Sequence, residues 1–176
     1  HDAGATTTTT WIVLHRDQNT SDAQKDMEAP METIETSIDI QRPVETVFAY
    51  VADPRNGSQW QGAIKETHVT PDGPPTVGAK VTQVVSFLGV KLEPTAEITA
   101  LEPNRSFSIK GRAGPASLEA TYRFEVMGAG TRLSATIQVE PGGLFQLAGP
   151  LFASQFKKQS EADLQRLKAL LEAQQG

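Results

Sequence analysis

The chain has 176 residues, no cysteine and a formal net charge of −5. That length suits one domain with its own core, and the missing thiols exclude disulfides, cysteine-ligated metals and thiolate catalysis. The acidic balance, with basic residues scattered apart from Lys157 and Lys158, argues against nucleic acid as a partner. No apolar run reaches the roughly 18 residues of a membrane span, so no integral membrane association is expected.

Residues 1–30 differ from the rest. Ala3 to Thr10 is rich in threonine, and Asp17 to Asp26 is polar and aperiodic. Between them Trp11 to Leu14 is an apolar island too short for a signal-peptide core, with no basic region before it; a cytoplasmic location is expected. So little apolar surface does not offset the entropy of ordering the segment. A disordered tail over 1–30, ahead of one domain over 31–176, is the reading; an edge strand or intermolecular arm at Thr9 to His15 is the rival.

From Glu32 the pattern is regular. Ile34, Ile38 and Ile40 share one face of an alternating run, with Thr36 among them, which predicts a first strand. Pro43 suits a first helical position, where no N–H is needed. Val44, Val47, Phe48 and Val51 recur at helical spacing until Asp53 and Pro54 end the helix. Gly57, Trp60 and Gly62 then predict a second short helical turn and a loop.

Strands come next. Ile64 to Val69 is one, and Ala79, Val81, Gln83, Val85 and Phe87 form the inner register of another, closed by a hairpin at Gly89. Leu92, Pro94, Ala96, Ile98 and Ala100 predict a single half-buried strand. Phe107 and Ile109 continue the pattern to a turn over Gly111 to Pro115. Ala116, Leu118, Ala120, Tyr122, Phe124 and Val126 face inward on the next strand. Leu133, Ala135, Ile137 and Val139 make the last one, after a hairpin at Gly128 to Gly130.

From about Leu144 to Ala173 the period becomes helical, with Phe152, Phe156, Ser160, Leu164, Leu167 and Leu171 on one face and Pro150 set to kink or divide the first turns. The predicted order is therefore β-α-α-β-β-β-β-β-β-α. Short connections make neighbouring strands antiparallel, and a curved sheet with one apolar face needs a cover. The long C-terminal helix is the element large enough to supply it.

Several segments carry a family resemblance: Arg42-Pro-Val-Glu-Thr-Val-Phe-Ala-Tyr-Val-Ala-Asp-Pro54 with Trp60 behind it, Val77-Gly-Ala-Lys80, Leu101-Glu-Pro-Asn-Arg105, Tyr122-Arg-Phe124, Gly130-Thr-Arg132 and Leu167-Lys-Ala-Leu-Leu-Glu172. From Met31 onward the chain resembles the START-related, helix-grip proteins of the SRPBCC superfamily, and within them the polyketide cyclase/dehydrase and lipid-transport members. The resemblance implies an α+β helix-grip fold: a curved antiparallel sheet wrapped around a long C-terminal helix, with two short helices after the first strand. It does not name an activity, because such families include carriers, cyclases, dehydratases and co-chaperones.

The inward face itself suggests a cavity. Ala96, Ala100, Ala116, Ala120 and Ala135 are small beside Phe87, Phe107, Phe124, Ile98 and Leu118, so a helix laid across them leaves space unless Phe152 and Phe156 plug it. Candidate ligand-binding residues are Trp60, Gln83, Phe87, Phe107, Ala120, Tyr122, Phe152, Phe156 and Ser160. Gln83, Tyr122 and Ser160 are polar groups on an apolar face, which need partners from the protein or a ligand. Trp60 reads first as a packing anchor under the short helices and second as a ligand platform.

Constellations for other chemistry are missing. His68 is the one histidine of the domain and reads as solvated; there is no Gly-rich phosphate loop and no zinc-protease or nucleophile-elbow motif. Glu93, Glu97, Glu119 and Glu125 read as the solvated face of the sheet. The expected function is binding of a hydrophobic or amphipathic small molecule, without metal, nucleotide or redox cofactor. A cofactor-independent polyketide cyclase or dehydratase using the same cavity is one alternative, and a protein-interaction module another.

Overall fold

β1 (Glu32–Ile40) leads through Arg42 and Pro43 into α1 (Val44–Val51), whose buried Val44, Val47 and Val51 keep the helical spacing. The computed structural model describes residues 31–140, 142 and 144–174, with backbone alone for 144–148; the tail expected over 1–30 lies outside these residues. Pro43 stands one place earlier than expected. Its φ of −57° suits a helix, but its ψ of 150° is extended, so it caps α1 and its carbonyl accepts from the Thr46 and Val47 amides. Asp53 then accepts from the Arg55 amide at 3.1 Å and opens a 3₁₀ turn, Pro54–Asn56, followed by α2 (Gly57–Trp60).

The rest of the sheet is β2 (Ile64–Thr70), β3 (Lys80–Phe87), β4 (Val90–Leu92), β5 (Thr95–Glu102), β6 (Ser106–Ala113), β7 (Ala116–Met127) and β8 (Gly130–Glu140). It is open, antiparallel and eight-stranded, in the order β1-β8-β7-β6-β5-β3-β2 with β4 beside β3. The run expected as one strand from Lys91 to Ala100 is two, because Pro94 has no N–H for the ladder. Its carbonyl still accepts from the Gln83 amide at 3.1 Å, so β4 and β5 hold one register on β3.

A second departure changes which side chains face inward. Ile98 pairs with Ile109, but Ala100 pairs with Ser108, so Thr99 is an extra residue in β5. Such a bulge reverses the facing of the residues beyond it in the strand. Ala100, expected inside, shares the outer face with Ser108, and Leu101 takes the inner place opposite Phe107. β6 also runs two residues beyond the expected turn at Gly111. A Cβ on Gly111 would come within 2.9 Å of the Ala96 Cβ, so the strands meet there at glycine distance.

α3 (Leu144–Ala173) breaks at Gly149, with φ 37° and ψ −114°, directly before Pro150 as the sequence implied. Its inner face buries Phe152, Ser160, Leu164, Leu167 and Leu171. The C-terminal end is tied to the β1–α1 junction: Arg42 Nη1 donates to the Leu171 carbonyl at 2.7 Å, and the Gln41 amide donates to Glu172 Oε1 at 2.9 Å. A guanidinium there satisfies a last-turn carbonyl and complements the negative end of the helix dipole. Ile34, Ile40, Val47, Leu133, Leu167 and Leu171 close the core beneath this half of α3.

Candidate functional site

Packing loosens toward the other half of α3. A cavity of about 250 Å³ lies between the inner face of the sheet and the helix from Phe152 to Leu164. Ala96, Ala116 and Ala120, with Gly111 in the floor, put too little side chain into this volume to fill it. All nine candidates read from the sequence border it: Trp60, Gln83, Phe87, Phe107, Ala120, Tyr122, Phe152, Phe156 and Ser160. Ala135 is buried outside its lining.

One wall is aromatic. Phe87 meets Phe152 edge-on, ring centroids 5.6 Å apart, and meets Phe156 at the same separation. Phe152 and Phe156 project one turn apart from α3; their rings tilt at 33° to one another with centroids 5.8 Å apart, and both meet Phe87 of β3 edge-on. They wall the cavity instead of filling it.

The polar groups of the lining gather around the loop after α2. Tyr122 packs between Trp60 at 6.2 Å and Phe107 at 6.1 Å, and Gln61 Nε2 donates to its hydroxyl at 3.3 Å. The next residue reaches the helix: the Gly62 amide donates to Asp163 Oδ1 at 2.9 Å, and Gln159 Nε2 donates to the same oxygen at 2.8 Å. Arg166 Nη1 lies 3.8 Å from Asp163 Oδ1 and donates to the Trp60 carbonyl at 3.2 Å. The loop passes so close that a Cβ on Gly62 would sit 2.9 Å from the Arg166 guanidinium.

Burial dominates the electrostatics here. It pushes the Asp163 carboxyl above the ordinary aspartate range, against the hydrogen bonds from Gly62 and Gln159 and the Arg166 charge. The Tyr122 hydroxyl is pushed up to about 12, first by burial and then by the Asp163 charge, with the Gln61 hydrogen bond opposing. Tyr122 therefore keeps its proton as a donor at neutral pH. Ser160 shares a 3.1 Å hydrogen bond with Thr36 on β1, and Gln83 reaches Thr67 on β2 at 3.5 Å.

Asp163, Gln61 and Gln159 were not among the sequence-derived candidates. Asp163 carries a legible signal, lying three residues after Ser160 and four before Leu167, on the buried stripe. Its charge pointed the other way, since aspartate is rarely buried. Gln61 lies in an aperiodic loop and offers none. His68 is exposed on β2, and Glu97 and Glu119 form surface ion pairs with Lys80 and Lys110, as expected of an outer face.

Residues 31–172 match the family model described as polyketide cyclase / dehydrase and lipid transport. No curated protein gives a significant match. Among solved structures, the TTHA0849 protein of Thermus thermophilus is similar with a TM-score of 0.70 at 17% identity, over 82% of this chain and 100% of that one. The Zhui aromatase/cyclase of a Streptomyces species gives 0.68 at 18%, over 81% and 94% of the two chains. A START superfamily protein of Mycobacterium smegmatis gives 0.67 at 17%, over 80% and 97%. Identities this low carry the fold alone.

Proposed function

The chain belongs to the polyketide cyclase/dehydrase and lipid transport family of the START-related superfamily, and from that premise we propose that it binds a hydrophobic or amphipathic small molecule between sheet and α3. The observation that carries this reading is the cavity left open by Ala96, Ala116, Ala120 and Gly111. At about 250 Å³ it lies just below the usual small-molecule range, which starts at roughly 300 Å³, and suits a compact ligand. Desolvated apolar area supplies most of the affinity, at roughly 25 cal/mol per Å² before the costs of association. The Tyr122 hydroxyl adds about 0.5–1.5 kcal/mol if it bonds the ligand.

A solvatochromic aromatic probe titrated into wild type, Ala120→Phe and Tyr122→Phe tests the reading. Phenylalanine in place of Ala120 should fill the cavity and abolish binding. Tyr122→Phe should weaken it by no more than about tenfold. Equal binding by wild type and Ala120→Phe would remove the cavity as the binding site.

Catalysis of the cyclase or dehydratase type is a second reading, favoured by the polar groups around the loop after α2. In this reading the Tyr122 phenol and the Asp163 carboxylate, hydrogen-bonded by the adjacent loop residues Gln61 and Gly62, would polarise a carbonyl and accept a proton beside it. Turnover of a β-polyketone without added cofactor, lost in Tyr122→Phe while binding persists, would establish it. Unchanged turnover in that variant would exclude the tyrosine from chemistry.

A further inference from the structure

We infer that Asp163 sets the ligand class of this cavity, selecting a neutral head group that carries a hydroxyl (an alcohol, phenol or enol) and rejecting carboxylates. The inference deepens the small-molecule reading above and rests on it. Three protein groups converge on one oxygen of Asp163: the Gly62 amide, the Gln159 amide and, at 3.8 Å, the Arg166 guanidinium all address Oδ1. Among the described residues Oδ2 takes no hydrogen bond. No sealed side-chain nitrogen or oxygen among them lacks a partner, so Oδ2 keeps access to open space, and Asp163 borders the cavity.

Tyr122 supplies the complement. Its oxygen accepts from Gln61, which leaves its own proton for an acceptor that the described residues do not provide. A donor and an acceptor at one end of an apolar cavity match a hydroxyl, whose oxygen takes the tyrosine proton and whose hydrogen goes to Asp163 Oδ2. An enolised diketone satisfies the same pair with two neighbouring oxygens. A ligand carboxylate would instead place a second negative charge beside Asp163, away from water, where like charges repel strongly.

The other charges near the site do not reverse this. Arg166 is already engaged by Asp163 and the Trp60 carbonyl. Asp53, also at the cavity, is paired with Arg55 at 3.2 Å, and Arg112 is an exposed residue at its border. The loop over Trp60 to Gly62 presents amides and a carbonyl to this end, without a charged side chain.

Three probes of one shape separate the ideas: naphthalene, 2-naphthol and 2-naphthoate, titrated calorimetrically into the full chain at neutral pH. Wild type should bind naphthol at least about tenfold more tightly than naphthoate, as one charge-assisted hydrogen bond gained or lost implies. In Asp163→Asn the two should come within about threefold of each other, chiefly because naphthoate gains. Naphthalene binding by that variant checks that its cavity has formed; if it is lost, Asp163→Glu, which keeps the charge, must retain the preference for naphthol. Equal affinities in wild type, or a preference undiminished in Asp163→Asn, would overturn the inference while leaving the cavity reading intact. Failure of all three probes to bind wild type would remove the cavity reading, and the inference with it.

Discussion

Asp163 and Ala120 mark the two extremes of what a residue discloses in sequence. Ala120 sits in a strict alternation between Leu118 and Tyr122, so its inward facing and the space above it were both readable, and the structure buries it at the cavity wall. Asp163 lay on the readable stripe one turn after Gln159, but its charge argued for solvent, and the Gly62 amide that bonds it in the interior lies 101 residues away in the chain. Its raised pKa gives a test with a definite sign. A carboxyl whose folded pKa exceeds its unfolded value favours folding while protonated, and that advantage is lost as pH rises through the raised value. Asp163→Asn should therefore melt at or above wild type at neutral pH, and the gap should close as pH falls through the carboxylate range. A variant that melts well below wild type at neutral pH would show that the buried charge stabilises the fold.

At the scale of elements, periodicity located the helices and strands but not the changes of register within them. Ala100 and Leu101 are both apolar, so alternation does not say which faces inward; the extra Thr99 decides it, and nothing local marks Thr99 as extra. Pro94 did carry a readable signal, a missing ladder donor, and it divides β4 from β5. The phase of α3 was unambiguous, and it makes a sharp prediction. Leu167 is fully buried, so Leu167→Ala should cost about 2–5 kcal/mol. Lys168, on the neighbouring face, donates to Glu172 and to the Asp39 carbonyl at the surface; Lys168→Ala should cost less than about 1 kcal/mol. Denaturant melts that rank the two in the opposite order would refute the packing of this helix.

At the scale of the molecule, the order of elements was legible because each junction carries its own turn or cap chemistry, whereas the cavity volume depends on side chains summed across the strands from β2 to β8 and all three helices. The family match begins at residue 31 and the β1 register at Glu32. We propose that removing residues 1–30 leaves thermal unfolding and the oligomeric state, read from solution mass, unchanged; a large loss of stability or a new oligomeric state would show that they support the fold. The pairing of β1 with β8 has a further consequence for synthesis. Glu32 meets Val139, so the first strand leaves the ribosome about a hundred residues before its sheet partner. At roughly 5–20 residues per second the wait is about 5–20 s, with Ile34, Ile38 and Ile40 uncovered throughout. Because α3 covers these side chains, nascent chains of this domain should be clients of holding chaperones until the helix has emerged as far as Ala173.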